Sequence, residues 1–326
     1  MTTVTEAGPA APAGPAHPLD QRRPLGDRSF QILALACGLL VLVILVLIAV
    51  STSQQASSWF TTEGWGIFKN NWNPATNTYG ALAFIYGTAI TAIIALIMAV
   101  PVSVGIALLL TEVVPYRWSR PIVYVVDLLA VVPSVVWGLW GILVFAPWLN
   151  TIYAHIGSAV TGIWVLGPLF GPPTSGASFF TCGIILAFMI TPIVTSLSRE
   201  VIATVPAIDK EGAYALGATR LEMIRGTVWP HSQGGVVGAV LLGMGRAMGE
   251  TIAAALVIGS SPAITSHLFA PGYNMPAVIA NEFGEAFGLQ RAALMGIGVL
   301  LFVITIIVNV IARGVVERSA RRKRGT

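Results

Sequence analysis

The chain of 326 residues is 55% hydrophobic and 10% charged, with a formal net charge of +4. Soluble domains carry about 25% charged residues, so the composition excludes an ordinary soluble enzyme and assigns most of the chain to lipid or to contact with protein. The positive charges border apolar runs, which is the pattern that orients membrane segments and not one that binds nucleic acid. In chain order, residues 1–29 are rich in Ala, Pro and Gly and predict a disordered cytoplasmic tail. Residues 30–51 carry an apolar run of about twenty residues, enough to cross a bilayer. That run exceeds the roughly 7–15 residues of a signal peptide's apolar region, so it reads as a retained first transmembrane helix. Residues 52–79 read as an external loop, whose Trp59, Trp65 and Trp72 suit a short helix at headgroup level.

The region 80–315 holds further apolar runs at 82–110, 122–145, 179–197, 234–258 and 293–311. Pro101, Pro133 and Pro192 fall inside three of them and predict kinks, which membrane helices tolerate when neighbours satisfy the freed carbonyls. The stretch 151–177 is broken by Gly162, Gly167, Pro168, Gly171, Pro172 and Pro173, and reads as an external loop dipping into the interface. The prediction is an all-α, polytopic protein with six transmembrane helices, a cytoplasmic loop at 199–232 and a basic cytoplasmic tail at 316–326. Lys69 and Arg291 then lie outside and Arg246 within a span, and every other one of the eighteen basic residues is cytoplasmic. Both termini are therefore placed inside. Cys37 and Cys182 sit within apolar runs and form neither a disulfide framework nor a metal motif.

The loop at 199–232 has a local code of its own. A helix can start after Pro206, and Gly217 suits the left-handed residue that ends it. Thr219 and Glu222 have the Thr-x-x-Glu spacing of a capping box that starts a second helix. Such a pair serves either as a structured connector or as a docking surface. The run 234–258 holds Arg246 and Glu250, four residues apart and on one face if the helix is continuous. An intramembrane Arg costs roughly 2.5–3.5 kcal/mol on insertion scales and therefore faces the bundle interior or a water-filled path. The two charges are either part of a substrate path or a structural ion pair, and Asp127 in the run 122–145 is a further candidate partner. Gly245 and Gly249 add a Gly-xxx-Gly spacing that suits close helix packing, within the subunit or against a partner. Lys69, Lys210 and Lys323 are the only lysines, and none follows a glycine, so the chain lacks the phosphate-binding loop of an ATPase.

The loop also places Glu211, Ala213, Gly217 and Pro230 in the spacing Glu-Ala-Ala, three residues, Gly, nine residues, Ile-x-Leu-Pro. It departs from that spacing's residue types at Gly212, Thr227 and Trp229. In this it resembles the binding-protein-dependent ABC importer permeases, whose fold is that of the type I importers. The resemblance implies a coupling loop seated in a cleft of an ATPase subunit, with Glu211, Ala213, Gly217, Thr219 and Glu222 as the coupling residues. Three stretches are similar to the phosphate-specific permeases of the PstC type: 72–88, from Trp72-Asn-Pro through Tyr79 to Thr88; Pro133 to Gly141; and Gly245 to Thr251. Together with the loop they extend the resemblance over about residues 30 to 315. It implies a bacterial plasma-membrane protein that is not an enzyme and binds no cofactor of its own. Its implied partners are a second permease, two ATPase subunits that use ATP and Mg, and an external phosphate-binding protein. The implied substrate path contains Arg246, Glu250 and Asp127. Competing readings are a permease for another oxyanion such as sulfate or molybdate, an ion-coupled secondary transporter with Glu250 or Asp127 as proton site, and a structural assembly factor.

Overall fold

The computed structural model describes residues 25–160, 162–164, 166–171 and 175–324. The chain divides into two compact units, 1–51 and 52–326. In the first, helix α1 (Leu25–Glu63) begins at Leu25, so most of the tail expected at 1–29 lies outside the described residues. The apolar side chains from Phe30 to Val50 are largely exposed, as a lipid-facing helix requires.

The second unit begins with the last turns of α1, which replace the expected loop over residues 52–63. A left-handed Gly64 turns the chain into a short 3-10 segment, Gly64–Phe68. A small antiparallel hairpin follows, β1 (Trp72–Asn73) and β2 (Thr78–Tyr79). The three tryptophans do not share an interfacial helix. Trp59 is fully buried and its indole N–H donates to the Tyr79 carbonyl at 2.8 Å. Trp72 donates to Glu282 at 3.0 Å and meets Tyr79 and Phe84 edge to face. Only Trp65 is well exposed. Indole rings that find both a cavity and an acceptor are drawn into the fold and away from the headgroups.

The remaining helices are α2 (Leu82–Leu108), α3 (Tyr116–Val131), α4 (Ser134–Trp140), α5 (Ala146–Val160), α6 (Leu166–Leu169), α7 (Phe179–Ala203), α8 (Ala207–Ala215), α9 (Arg220–Met223), α10 (Trp229–Gly249), α11 (Ile252–Val257), α12 (Met275–Glu282) and α13 (Gly288–Arg324). Single π turns extend α2 over Leu109–Val113, join α4 to α5 over Gly141–Phe145, and join α9 to α10 over Ile224–Val228. The fold is all-α apart from the two-residue strands. Among the described residues, five helical stretches are long and apolar enough to cross a membrane: Arg28–Phe68, Leu82–Val113, Ser134–Val160, Phe179–Ala203 and Gly288–Gly314. A sixth long helix is α10, at 21 residues; Gln233, Arg246 and its many glycines keep it out of that apolar set.

Two predicted spans have different limits from those read in the sequence. The run 122–145 is cut at Val132, which is extended (φ −59°, ψ 125°) because the following proline ring disfavours a helical residue before it. Pro133 then caps α4, so it starts a helix and does not kink one. The crossing element is Ser134–Val160, and residues 151–160 of the expected external loop are its last turns. Pro101 and Pro192 do remain inside their helices. The run 234–258 is likewise cut, at Glu250 (ψ 123°), between α10 and α11.

Helix α7 is the axis of the core. Of its apolar stretch 67% is buried inside the protein, against 33% for α2 and 17% for α13. Phe179, Cys182, Ile185, Leu186 and Ile190 of α7 pack with Phe84, Ala95 and Ala99 of α2 and with residues of α11 and α12. A smaller core joins the ends of α2 and α7 to α9 and α10 through Ala107, Ile202, Met223, Val228 and Val236.

Candidate functional site: a capped hairpin and an arginine-lined groove

The hairpin follows the local code closely. Helix α8 starts after Pro206 and ends at Gly217, which is left-handed at φ +84°. The Gly217 N–H donates to the Tyr214 carbonyl at 2.9 Å and the Ala218 N–H to the Ala213 carbonyl at 3.1 Å. These are the two bonds of a Schellman motif, which satisfies carbonyls orphaned by the helix end. Two residues later Thr219 caps α9. The Glu222 N–H donates to the Thr219 hydroxyl at 3.4 Å, while the Thr219 N–H and hydroxyl donate back to the Glu222 carboxylate at 2.8 and 2.7 Å. The backbone N–H of Thr219, and after it the hydroxyl, hold the Glu222 carboxyl below its ordinary value.

The outward face of α8 is mixed. Ile208 and Leu216 are 75% and 91% exposed, beside exposed Glu211. With Thr227 and Pro230 they border an open trough of about 960 Å³. Ala213, at the edge of the same trough, is half-buried and packs on the smaller core.

A groove of about 980 Å³ runs along α10, walled by α7 at Ile193 and by α13 at Asn309 and Arg313. Arg246 lines it, together with Gly234, Gly238 and Gly245. A Cβ placed at any of these three glycines would meet nothing within 4 Å. Gly235 and Gly243 differ: a Cβ there would press on Val201 and Val194 of α7. The glycines of α10 therefore divide by face, one set seating the helix on α7 and the other leaving the groove open. Gly249, like Gly245, has open space beside it, so the Gly-xxx-Gly pair is not a contact within this subunit.

The ion pair that Arg246 and Glu250 would make on a continuous helix is not formed. Helix α10 ends at Gly249, so Glu250 leaves the helical face on which a four-residue spacing would bring it under Arg246. Among the described residues the only ion pair is between Lys210 and Glu112. Asp127 is half-buried on α3, outside the crossing helices, and does not line the groove. Arg313 and Asn309 were not singled out in the sequence. Their signal was there: two polar residues four apart, hence on one face of an otherwise apolar helix.

Two of the three other motif stretches, 72–88 and 133–141, contain packing sites. Gly138 and Gly141 of α4 and its π turn receive Leu256 and Val257 of α11, with a Cβ at either 2.7–2.8 Å from those side chains. Gly87 lies against the Tyr273 carbonyl, and the Thr88 hydroxyl accepts the Met275 N–H at 3.0 Å. These contacts tie α2, α4, α11 and α12 around α7.

Residues 103–325 match the family of binding-protein-dependent transport system inner membrane components. The chain is 42% identical over 327 residues to the phosphate transport system permease protein PstC of Mesorhizobium japonicum, covering 99% of both chains. It is 39% identical over 298 residues to PstC 2 of Mycobacterium tuberculosis, covering 89% of this chain and 91% of the other. In structure it resembles a bacterial ABC transporter involved in the import of alginate, with a TM-score of 0.51 at 14% identity, covering 89% of this chain and 99% of that one. The hairpin between α7 and α10, the all-helical fold and the near full-length identity agree: the chain belongs to the binding-protein-dependent transport permeases, in the branch of the PstC phosphate transport system permeases.

Proposed function

We propose that this chain is the permease subunit of an ATP-driven phosphate importer and forms the translocation path with a second permease subunit. The observation that carries this reading is the groove along α10, which Arg246 and Arg313 both line. Guanidinium is always charged and offers a planar fork of donors matched to phosphate oxygens. Placed on crossing helices, such groups need an anion, and phosphate supplies one in transit. Glu250 is assigned the outer end of the path, beyond the groove, and Asp127 lies away from it. The second permease covers the open glycine face of α10.

In the same reading, residues 207–228 are the coupling element. Two ATPase subunits use ATP and Mg²⁺, and one of them receives the exposed face of α8, with Glu211 and the Gly217 turn at its rim. An external phosphate-binding protein delivers the substrate. Both termini lie in the cytoplasm, and the complex alternates access across the bacterial plasma membrane.

The test is uptake by proteoliposomes holding the full complex. Phosphate uptake that requires both ATP and the binding protein supports the reading. Preference for sulfate or molybdate would reassign the substrate, and ion-driven uptake without any ATPase would overturn the class.

A further inference from the structure

We propose that Glu112 and Lys210 form a strut that carries the movement of α8 to the end of α2 and through it to the groove. The proposal rests on the reading of α8 as the ATPase-docking element. Lys210 Nζ lies 2.6 Å from Glu112 Oε1, with the two side chains 20% and 6% exposed. The residues are 98 positions apart, so the contact is made by the fold and not by the chain's local course. Lys210 and Ala213, one helical turn apart, are the half-buried residues of α8, while Ile208, Glu211 and Leu216 are exposed. That split gives one side of a short helix to a partner and the other to α2.

A nearly buried ion pair is a weak source of stability, because desolvation offsets most of the attraction. What it supplies is a fixed length and a fixed register. Glu112 sits on the π turn Leu109–Val113 that ends α2, a type of turn that marks functional points in helices. The same turn is tied to α3, whose Ser119 hydroxyl donates to the Leu110 carbonyl at 3.0 Å. The smaller core continues the joint, with Ala107 and Leu108 of α2 packed among Val205, Ala213 and Met223. About twenty residues before Glu112, roughly 30 Å along a helix, Ala92 of α2 packs with Met244 and Met248 of α10. These methionines flank Arg246. A displacement of α8 therefore reaches the arginine through one continuous helix. Glu112 and Lys210 are positioning residues that need not touch the substrate.

The experiment measures phosphate imported per ATP hydrolysed by the full complex in proteoliposomes, for the wild type, Glu112→Gln, Lys210→Met and the exchange Glu112→Lys with Lys210→Glu. Each single change is expected to lower that ratio by at least about fivefold, the lower end of ordinary coupling between sites, while hydrolysis continues. The exchange is expected to recover most of the loss. Assembled single variants with the wild-type ratio would overturn the strut, as would an exchange that assembles without recovery. If the single variants fail to assemble, Glu112→Asp decides the matter. It keeps the charge on an arm one methylene shorter, and a wild-type ratio in that variant would overturn the proposal. The wild-type arm is read separately: if it imports no phosphate, the functional reading fails independently of the strut.

Discussion

The hairpin at 207–228 and the groove along α10 adjoin one another in the chain but are built in opposite ways. The hairpin is made by neighbours: Gly217 bonds back to Tyr214, and Thr219 and Glu222 bond each other. The groove is made by strangers, with Arg246 from α10, Arg313 from α13 and a wall from α7. A surface that must be met by another protein benefits from being locally self-supporting. A path that must open and close benefits from walls on separate helices, which can move apart. The difference predicts that damage to the groove removes transport while leaving the subunit intact, and that damage to the hairpin leaves hydrolysis and transport unlinked.

The largest effect is expected at Arg246. Arg246→Ala should lower phosphate uptake by an assembled complex at least about tenfold, since hydrogen bonds to a charged group contribute roughly 1.5–3 kcal/mol. Arg246→Lys should recover little, because it keeps the charge and loses the fork. Uptake and complex yield measured together check this; normal uptake by an assembled Arg246→Ala complex would remove the arginine from the path.

The glycine faces of α10 offer a matched pair. Gly238→Leu should block uptake while leaving the yield and thermal stability of the subunit itself normal, because a side chain there enters the open groove. Gly235→Leu should lower yield and thermal stability by the roughly 1–3 kcal/mol of an overpacked core, because Val201 already occupies that space. Equal yields for the two variants would mean that the faces are not distinct.

In the hairpin, Gly217→Val forces a β-branched residue into a left-handed conformation that costs L-residues roughly 1–2 kcal/mol. It should lower uptake per ATP hydrolysed, with hydrolysis retained; coupled transport in this variant would show that the turn's shape is not needed. The smallest effect concerns the capping box. Glu222 has a lowered pKa, so its contribution is present above its ordinary value of 4.5 and is lost as pH falls through the lowered one. Glu222→Gln should therefore lower stability slightly near neutrality and flatten the acid limb of a pH–stability profile, the variant and the wild type converging at low pH. An unchanged acid limb would mean that the charge on Glu222 does not stabilise the hairpin.

Local features were readable in the sequence because their physics is local. Gly217, the Thr219–Glu222 box and the apolar lengths of α1, α2, α7 and α13 act within a few residues or along one helix, so spacing alone determined them. The breaks at Val132 and Glu250 were not read from hydropathy, which sums apolar character and is blind to a single backbone torsion. The separation of Arg246 from Glu250 follows from the second break: the four-residue spacing counts only on an unbroken helix. Only the tertiary structure decided which glycines of α10 pack and which lie open, since a glycine carries no side chain to show whether a neighbour lies against it. It also decided that Arg313 joins Arg246 in one groove and that Glu112 meets Lys210. Those pairs are set by how helices far apart in sequence are laid against α7, and no local preference encodes that arrangement.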